Sequence, residues 1–347
     1  MRSLALLTKT IPGDKTMTVS HRISRRTLLQ AAAATAATSL PLLSRAQSID
    51  NAKILTGFAA GGTVDTLARR VATQLAGGYA KSAVVDTRTG ASGQIAISLL
   101  KASAPDGATL LVTPMSMLGI YPHTYKKLPY DPVTDVAPVS MGVIFDMGFA
   151  VGPMVPASVK TVPEFLEWCK ANPTQANCGS PALGSVPHFV GELIGRAGKV
   201  DLRHVGFRGS QPAILDMLGG QIASVSAPLG EFLPHLSGGK ARLLATSGAT
   251  RSKFSPGTST LVEQGFNGLV YNEWFGFFLP GKAAPDVVQR ANAAVRKALT
   301  DKDTIDGLAV MGLEVKSSTP EELAAALKAD TERWAPIVKT IGFTAES

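Results

Sequence analysis

The sequence predicts an α/β protein built as two lobes, and three observations carry that expectation. The chain has 347 residues, 45% hydrophobic and 17% charged, with 34 Gly and 22 Pro; that is too long for one average domain, ample for two, and typical of an ordered globular chain with many tight turns. From Lys53 onward, short β-branched runs alternate with segments of helical periodicity, the grammar of parallel sheets with crossover helices. That grammar runs twice, on either side of a Pro-rich connection (Pro122, Pro129, Pro132, Pro138) and an apolar run, Met141–Val151, that reads as a strand passing from one lobe to the other.

In order, the first lobe is expected to hold a strand at Lys53–Phe58, a helix at Thr63–Gly77, a strand at Ala83–Thr87, a helix at Gln94–Ala102 and a strand at Thr109–Thr113, a doubly wound start. The second lobe is expected to hold helices at Val162–Ala171, Ser185–Gly195 and Gln211–Leu218, with strands at Gln175–Gly179, Arg203–Phe207, Ala223–Ser226 and Arg242–Thr246. Val270–Leu279 then reads as a return strand, followed by helices over Pro285–Thr300 and Thr319–Ile341. With the tail returning to the first lobe, residues 47–148 and 272–347 form one lobe and 149–271 the other, a clamshell with two chain crossings that closes over a ligand.

The N-terminus reads as an export signal over residues 1–46. Arg25-Arg26 precedes an Ala- and Leu-rich run ending at Leu43, and Ser44-Arg45-Ala46 offers small residues for cleavage near Ala46, the pattern of a twin-arginine signal and a periplasmic destination. Met17 is an alternative start. That segment holds seven basic residues against Asp14, about +6 of the formal +8, so the remainder is near +2 and a nucleic-acid partner is not expected. Beyond it, no stretch has the roughly 20 apolar residues of a spanning helix. Two cysteines, Cys169 and Cys178, either form a disulfide or sit as separate buried thiols.

The most informative segment is Phe58-Ala59-Ala60-Gly61-Gly62-Thr63-Val64-Asp65, between a strand and a helix. Paired glycines turn the backbone tightly and aim amide N–H groups outward at a helix N-terminus, where the macrodipole favours an anion. Thr89-Gly90-Ala91-Ser92-Gly93-Gln94 repeats the idea, and two such loops can converge at the carboxyl edge of a sheet. The bland alternative is a pair of glycine-rich turns, with Asp65 stabilising the first helical turn. A dinucleotide site is disfavoured although Asp86 is well spaced, because Gly57, Gly61 and Gly62 do not make G-x-G-x-x-G. There is no G-x-S-x-G or H-E-x-x-H, and His21, His123, His188, His204 and His235 lack ligand spacing. No catalytic residue, metal or cofactor is expected.

The order and spacing of several stretches resemble one family across Lys53 to Gly342. They are Phe58 with Gly61-Gly62 and Asp65-Thr66-Leu67-Ala68-Arg69; Arg88-Thr89-Gly90-Ala91-Ser92-Gly93; Ala104-Pro105-Asp106-Gly107; Tyr125-Lys126-Lys127-Leu128-Pro129-Tyr130-Asp131-Pro132; Gly209-Ser210-Gln211-Pro212-Ala213; Leu218-Gly219-Gly220-Gln221; Trp274-Phe275-Gly276; and Ser318-Thr319-Pro320-Glu321-Glu322. The chain resembles the periplasmic receptors of tripartite tricarboxylate transporters, the Bug or TctC-type family. The resemblance implies a type II periplasmic-binding fold, a small organic carboxylate ligand, and membrane subunits of a tripartite transporter as partners; a monomer is expected. It also implies that Phe58, Ala60, Gly61 and Gly62, with Ala91, Ser92 and Gly93, hold a ligand carboxylate through backbone amides and water.

Departures from the family fall on both lobes. Ala59 and Ala60 stand where prolines commonly precede the glycine pair, and the second-lobe wall reads Leu183-Gly184-Ser185-Val186-Pro187-His188, with Ala227 replacing a common aspartate. Ser185, His188 and Ala227 are the expected wall residues. Those changes remove hydrogen-bond partners and a charge, which suits a ligand with an apolar far end and disfavours an ammonium group unless a side chain from outside these loops supplies polarity. The rival functions are a periplasmic enzyme acting on a carboxylic acid and a ligand-sensing receptor of a signalling system.

Overall fold

A computed structural model describes residues 49–345; the export signal expected over residues 1–46 lies outside them. The first lobe grows from a parallel trio in which β1 (Ile49–Thr56) lies between β2 (Ala80–Thr87) and β3 (Thr109–Pro114). Helix α1 (Thr63–Leu75) covers it with a stripe at helical spacing, Val64, Leu67, Ala68, Val71, Ala72 and Leu75, all buried. Asp65 in its first turn accepts the Gly61 N–H at 2.9 Å and pairs with Arg69 at 2.8 Å, the i,i+4 arrangement that suits a helix start. β1 begins earlier than the sequence suggests because Ile49 already pairs with Ala80.

The lobes are joined by β4 (Val136–Val151). Its residues from Val136 to Asp146 run antiparallel to β9 (Asn272–Pro280), and its last five, Met147 to Val151, pair with β7 (Ser224–Pro228) and β8 (Arg242–Thr246). One continuous strand thus belongs to both halves of the sheet. β7 leads on to β5 (Asn177–Ser180) and β6 (Arg203–Gly206), giving the order β2-β1-β3-β9-β4-β7-β5-β6, with β8 and the short β10 (Glu314–Val315) also on β4. The second crossing runs from β8 back to β9. Ser247 ties the two crossings together: its N–H donates to Met147 O at 3.0 Å, its Oγ accepts from Met147 N at 2.8 Å and donates to Tyr271 O, and its carbonyl accepts from Tyr271 N at 2.9 Å.

Among the described residues, side-chain caps start three helices. α2 (Gln94–Lys101) follows the second glycine loop, α3 (Met115–Gly119) follows β3 directly, and α4 (Tyr121–Thr124) opens the Pro-rich connection. In the second lobe, α5 (Val162–Ala171) starts in a Thr161/Glu164 capping box. α6 (Val186–Ala197) and α7 (Ser210–Leu218) follow β5 and β6, and α8 (Leu233–Leu236) is a single turn. After β9, α9 (Pro285–Ala298) and α10 (Lys302–Ala309, capped by Asp301) pack on α1, while α11 (Pro320–Ile341), with its own Thr319/Glu322 box, packs on α3 and β4. The tail thus packs against α1, α3 and β4. Cys169 and Cys178 are buried free thiols.

Candidate functional site

A pocket opens where the strand ends of both lobes face one another. From the first lobe it is lined by Phe58, Ala59, Gly62, Thr63 and Val64 of the β1–α1 loop, Pro114 and Met117 after β3, and Glu273 and Phe275 of β9. From the second come Pro181, Ala182, Ser185 and Pro187 between β5 and α6, Gly209, Ser210 and Gln211 at the start of α7, and Pro228 and Glu231 after β7. The loops after β1, β3, β5, β6 and β7 all contribute, the usual ligand position of open α/β sheets.

Two buried carboxylates dominate its electrostatics. Glu231, only 2% exposed, crosses from the second lobe to the N-terminus of α1, where its Oε1 accepts the Thr63 N–H at 2.7 Å and the Thr63 hydroxyl at 2.8 Å. Its Oε2 accepts the Gln211 amide at 2.6 Å. Burial pushes its pKa up against the opposing pull of those donors. The turn that carries it is pressed onto the first lobe, since a Cβ at Gly230 would lie 1.5 Å from Met311 O. Glu273, 3% exposed, accepts both the backbone N–H (3.0 Å) and the hydroxyl of Ser116. The Ser116 Oγ in turn accepts the Val186 N–H at 3.0 Å, so this carboxylate also connects to the opposite lobe. Burial raises Glu273 to about 7.

The predicted site residues divide. Phe58, Gly62 and Ser185 line the pocket, whereas Ala60 and Gly61 lie exposed on the outer side of their loop, with the Gly61 N–H taken by Asp65. The two glycine loops do meet: a Cβ at Gly57 would stand 2.7 Å from Gly93 Cα, and one at Gly93 would stand 3.1 Å from Phe58 Cζ. Gly93 therefore supports Phe58 from behind. Ala91 and Ser92, with left-handed φ of 44° and 53°, are strained non-glycine positions, yet they line a separate groove with Tyr125 and Leu183.

His188 and Ala227 do not reach the pocket. His188 Nδ1 accepts the Gly184 N–H at 3.0 Å and its ring lies 3.8 Å from that of His204, tilted by 39°, and His204 bonds Ser180 Oγ at 2.7 Å. Burial lowers His188 to about 3 and His204 to about 4, so this pair is a neutral prop under the Leu183–Ser185 loop. Ala227 faces Gly148 across β7 and β4 and packs in the second-lobe core with Phe232. Glu231, four residues after Ala227, places a carboxyl group in the pocket lining from outside the expected wall. Sequence reasoning missed Glu231, Glu273 and Ser116. The available signal was a lone acid in an apolar run: Glu273 is the one charged residue of β9, whose remaining residues after Asn272 are all buried.

A two-lobed α/β molecule crossed twice by its chain, with a pocket at the strand ends of both lobes, has the fold of periplasmic solute-binding proteins. Comparison with known proteins narrows the class. The family model described as "Tripartite tricarboxylate transporter family receptor" (TctC) matches residues 67–343, and the chain belongs to that family of substrate-binding receptors. It is 28% identical over 310 residues to Protein BugT of Bordetella pertussis, covering 89% of this chain and 94% of that one. Among solved structures it is similar to a Rhodopseudomonas palustris protein with adipate (TM-score 0.80, 28% identity, 86% of this chain and 99% of that one). MatC of the same organism, with bound malate, gives a TM-score of 0.77 at 27% identity, covering 84% and 99%. Among the described residues no helix is long and apolar enough to cross a membrane.

Proposed function

We propose that this chain is an exported receptor that captures a small organic carboxylate-bearing solute between its lobes, leaves it chemically unchanged, and presents it to the membrane subunits of a tripartite tricarboxylate-type transporter. The observation that carries this reading is the pocket itself, built from the strand-end loops of both lobes, into which α1, α6 and α7 direct their N-terminal ends. Helix N-termini favour acids, and that of α7 carries no side-chain cap. Malate and adipate in the two similar structures support the ligand class, and the twin-arginine pattern at Arg25-Arg26 supports export. A thermal-shift screen of organic acids, with calorimetry of each hit and recovery of the solute afterwards, tests it. Stabilisation with the solute recovered intact is expected; conversion of the solute would replace the receptor with an enzyme.

A further inference from the structure

Two carboxyl groups of the protein, those of Glu231 and Glu273, line the pocket. Three helices of nine residues or more begin at its rim, α1 at Thr63, α6 at Val186 and α7 at Ser210, each presenting about half a positive charge. The protein answers two of them itself. Glu231 sits on the Thr63 N–H, and the Val186 N–H donates to Ser116 Oγ, whose proton goes to Glu273. No lysine, arginine or histidine is among the lining residues. A ligand with two carboxylates would enter a mostly apolar space facing two protein carboxyl groups and no cation, where each glutamate that ionises repels it.

We infer, resting on the receptor reading above, that Glu231 and Glu273 are specificity-determining residues that select a net-neutral ligand, with one carboxylate and one ammonium or comparable N–H donor end, and exclude dicarboxylates. The donor end faces the two glutamates. The carboxylate lies toward the backbone of Gly209 and Ser210, where α7 begins behind a Gly209 of φ 120° and no side chain caps the helix, the Gln211 amide being turned to Glu231. Phe58, Met117 and Phe275 wall the middle of the ligand. This reverses the expectation from the Ala227 replacement: the counter-charge for an ammonium group is present, supplied by residues from other positions in the chain.

The test is calorimetry of the full chain and of two variants, Glu273→Gln and Glu231→Gln/Glu273→Gln. The amide oxygen of Glu273→Gln can still accept from Ser116, so the single variant reads the same preference should the double variant fold poorly. The probes are alanine, leucine and γ-aminobutyrate, the matching acids without the amino group, and succinate and adipate. At least one zwitterion is expected to bind, its des-amino partner tenfold or more weaker, and the dicarboxylates weaker still. Each variant should lose zwitterion affinity, by tenfold or more in the double variant, and gain affinity for succinate or adipate. Preference of the unmodified protein for succinate or adipate, or an unchanged order of preference in the variants, overturns this inference while leaving the receptor reading intact. Failure of every probe on every protein removes the receptor reading, and the inference with it.

Discussion

Glu231 and Thr63, 168 residues apart, are joined by two hydrogen bonds from the backbone N–H and hydroxyl of Thr63 to one carboxylate oxygen. This contact places a second-lobe acid on the first turn of a first-lobe helix, and it holds the lobes together at the mouth of the pocket.

Gly62 lies against the same carboxylate: a Cβ there would be 3.1 Å from Glu231 Oε1. Gly62 has an ordinary φ of −81°, so the cost of Gly62→Val is steric and falls on Glu231, about 1–3 kcal/mol. In a Glu231→Ala background the same substitution should cost at least about 0.5 kcal/mol less. Urea denaturation of the four proteins measures the coupling, and strictly additive costs would mean that the two positions do not share this space.

Stability should depend on pH through Glu273. Its folded pKa is raised from 4.5 to about 7, so between those values the folded state holds more protons than the unfolded state. Stability then falls as pH rises through that window, by about 3 kcal/mol in total. Glu231 acts in the same direction. The His188–His204 pair acts in the opposite one: both pKa values are depressed, so its contribution is present above about 6.5 and is lost as pH falls toward 4. Chemical denaturation from pH 5 to 8 should show the decline attributable to Glu273 disappear in Glu273→Gln. An identical profile in that variant would show that the carboxyl titrates normally.

Ser247→Ala should loosen the joint between the lobes. It removes the Oγ acceptor of the buried Met147 N–H while the backbone bonds between Ser247 and Met147 and between Ser247 and Tyr271 remain. Leaving that donor unpaired costs about 1–3 kcal/mol. The expected readout is faster amide exchange at Met147 with a matching loss of stability; unchanged exchange would show that the hydroxyl does not hold the crossing.

Export should depend on the arginine pair. Replacing Arg25 and Arg26 by lysine is expected to leave precursor in the cytoplasm of cells whose ordinary secretory route is blocked. Periplasmic accumulation at the unmodified level would mean that another route reads this segment.

The sequence by itself determined what depends on neighbours along the chain. The apolar stripe of α1, the Thr161/Glu164 and Thr319/Glu322 capping boxes, the alternation of strands with helices, and the glycine turns at Gly61-Gly62 and Gly90–Gly93 are set by residues within a few positions of one another. Even the loop contact of Gly57 with Gly93 follows from two adjacent parallel strands. Only the tertiary structure decided which acid meets the N-terminus of α1 and which side chains face the pocket. Glu231 reaches Thr63, and Glu273 reaches Ser116 across 157 residues, through a β7 turn pressed onto Met311 and a strand shared between antiparallel partners. His188 was legible as the start of a helix, but the packing of His204, Phe189 and Phe343 around it turned its ring into the protein. Periodicity tells which residues share a face; the element that covers that face is set by contacts made at long range, and those contacts here bring two carboxyl groups into the pocket, Glu231 from the second lobe and Glu273 from the first.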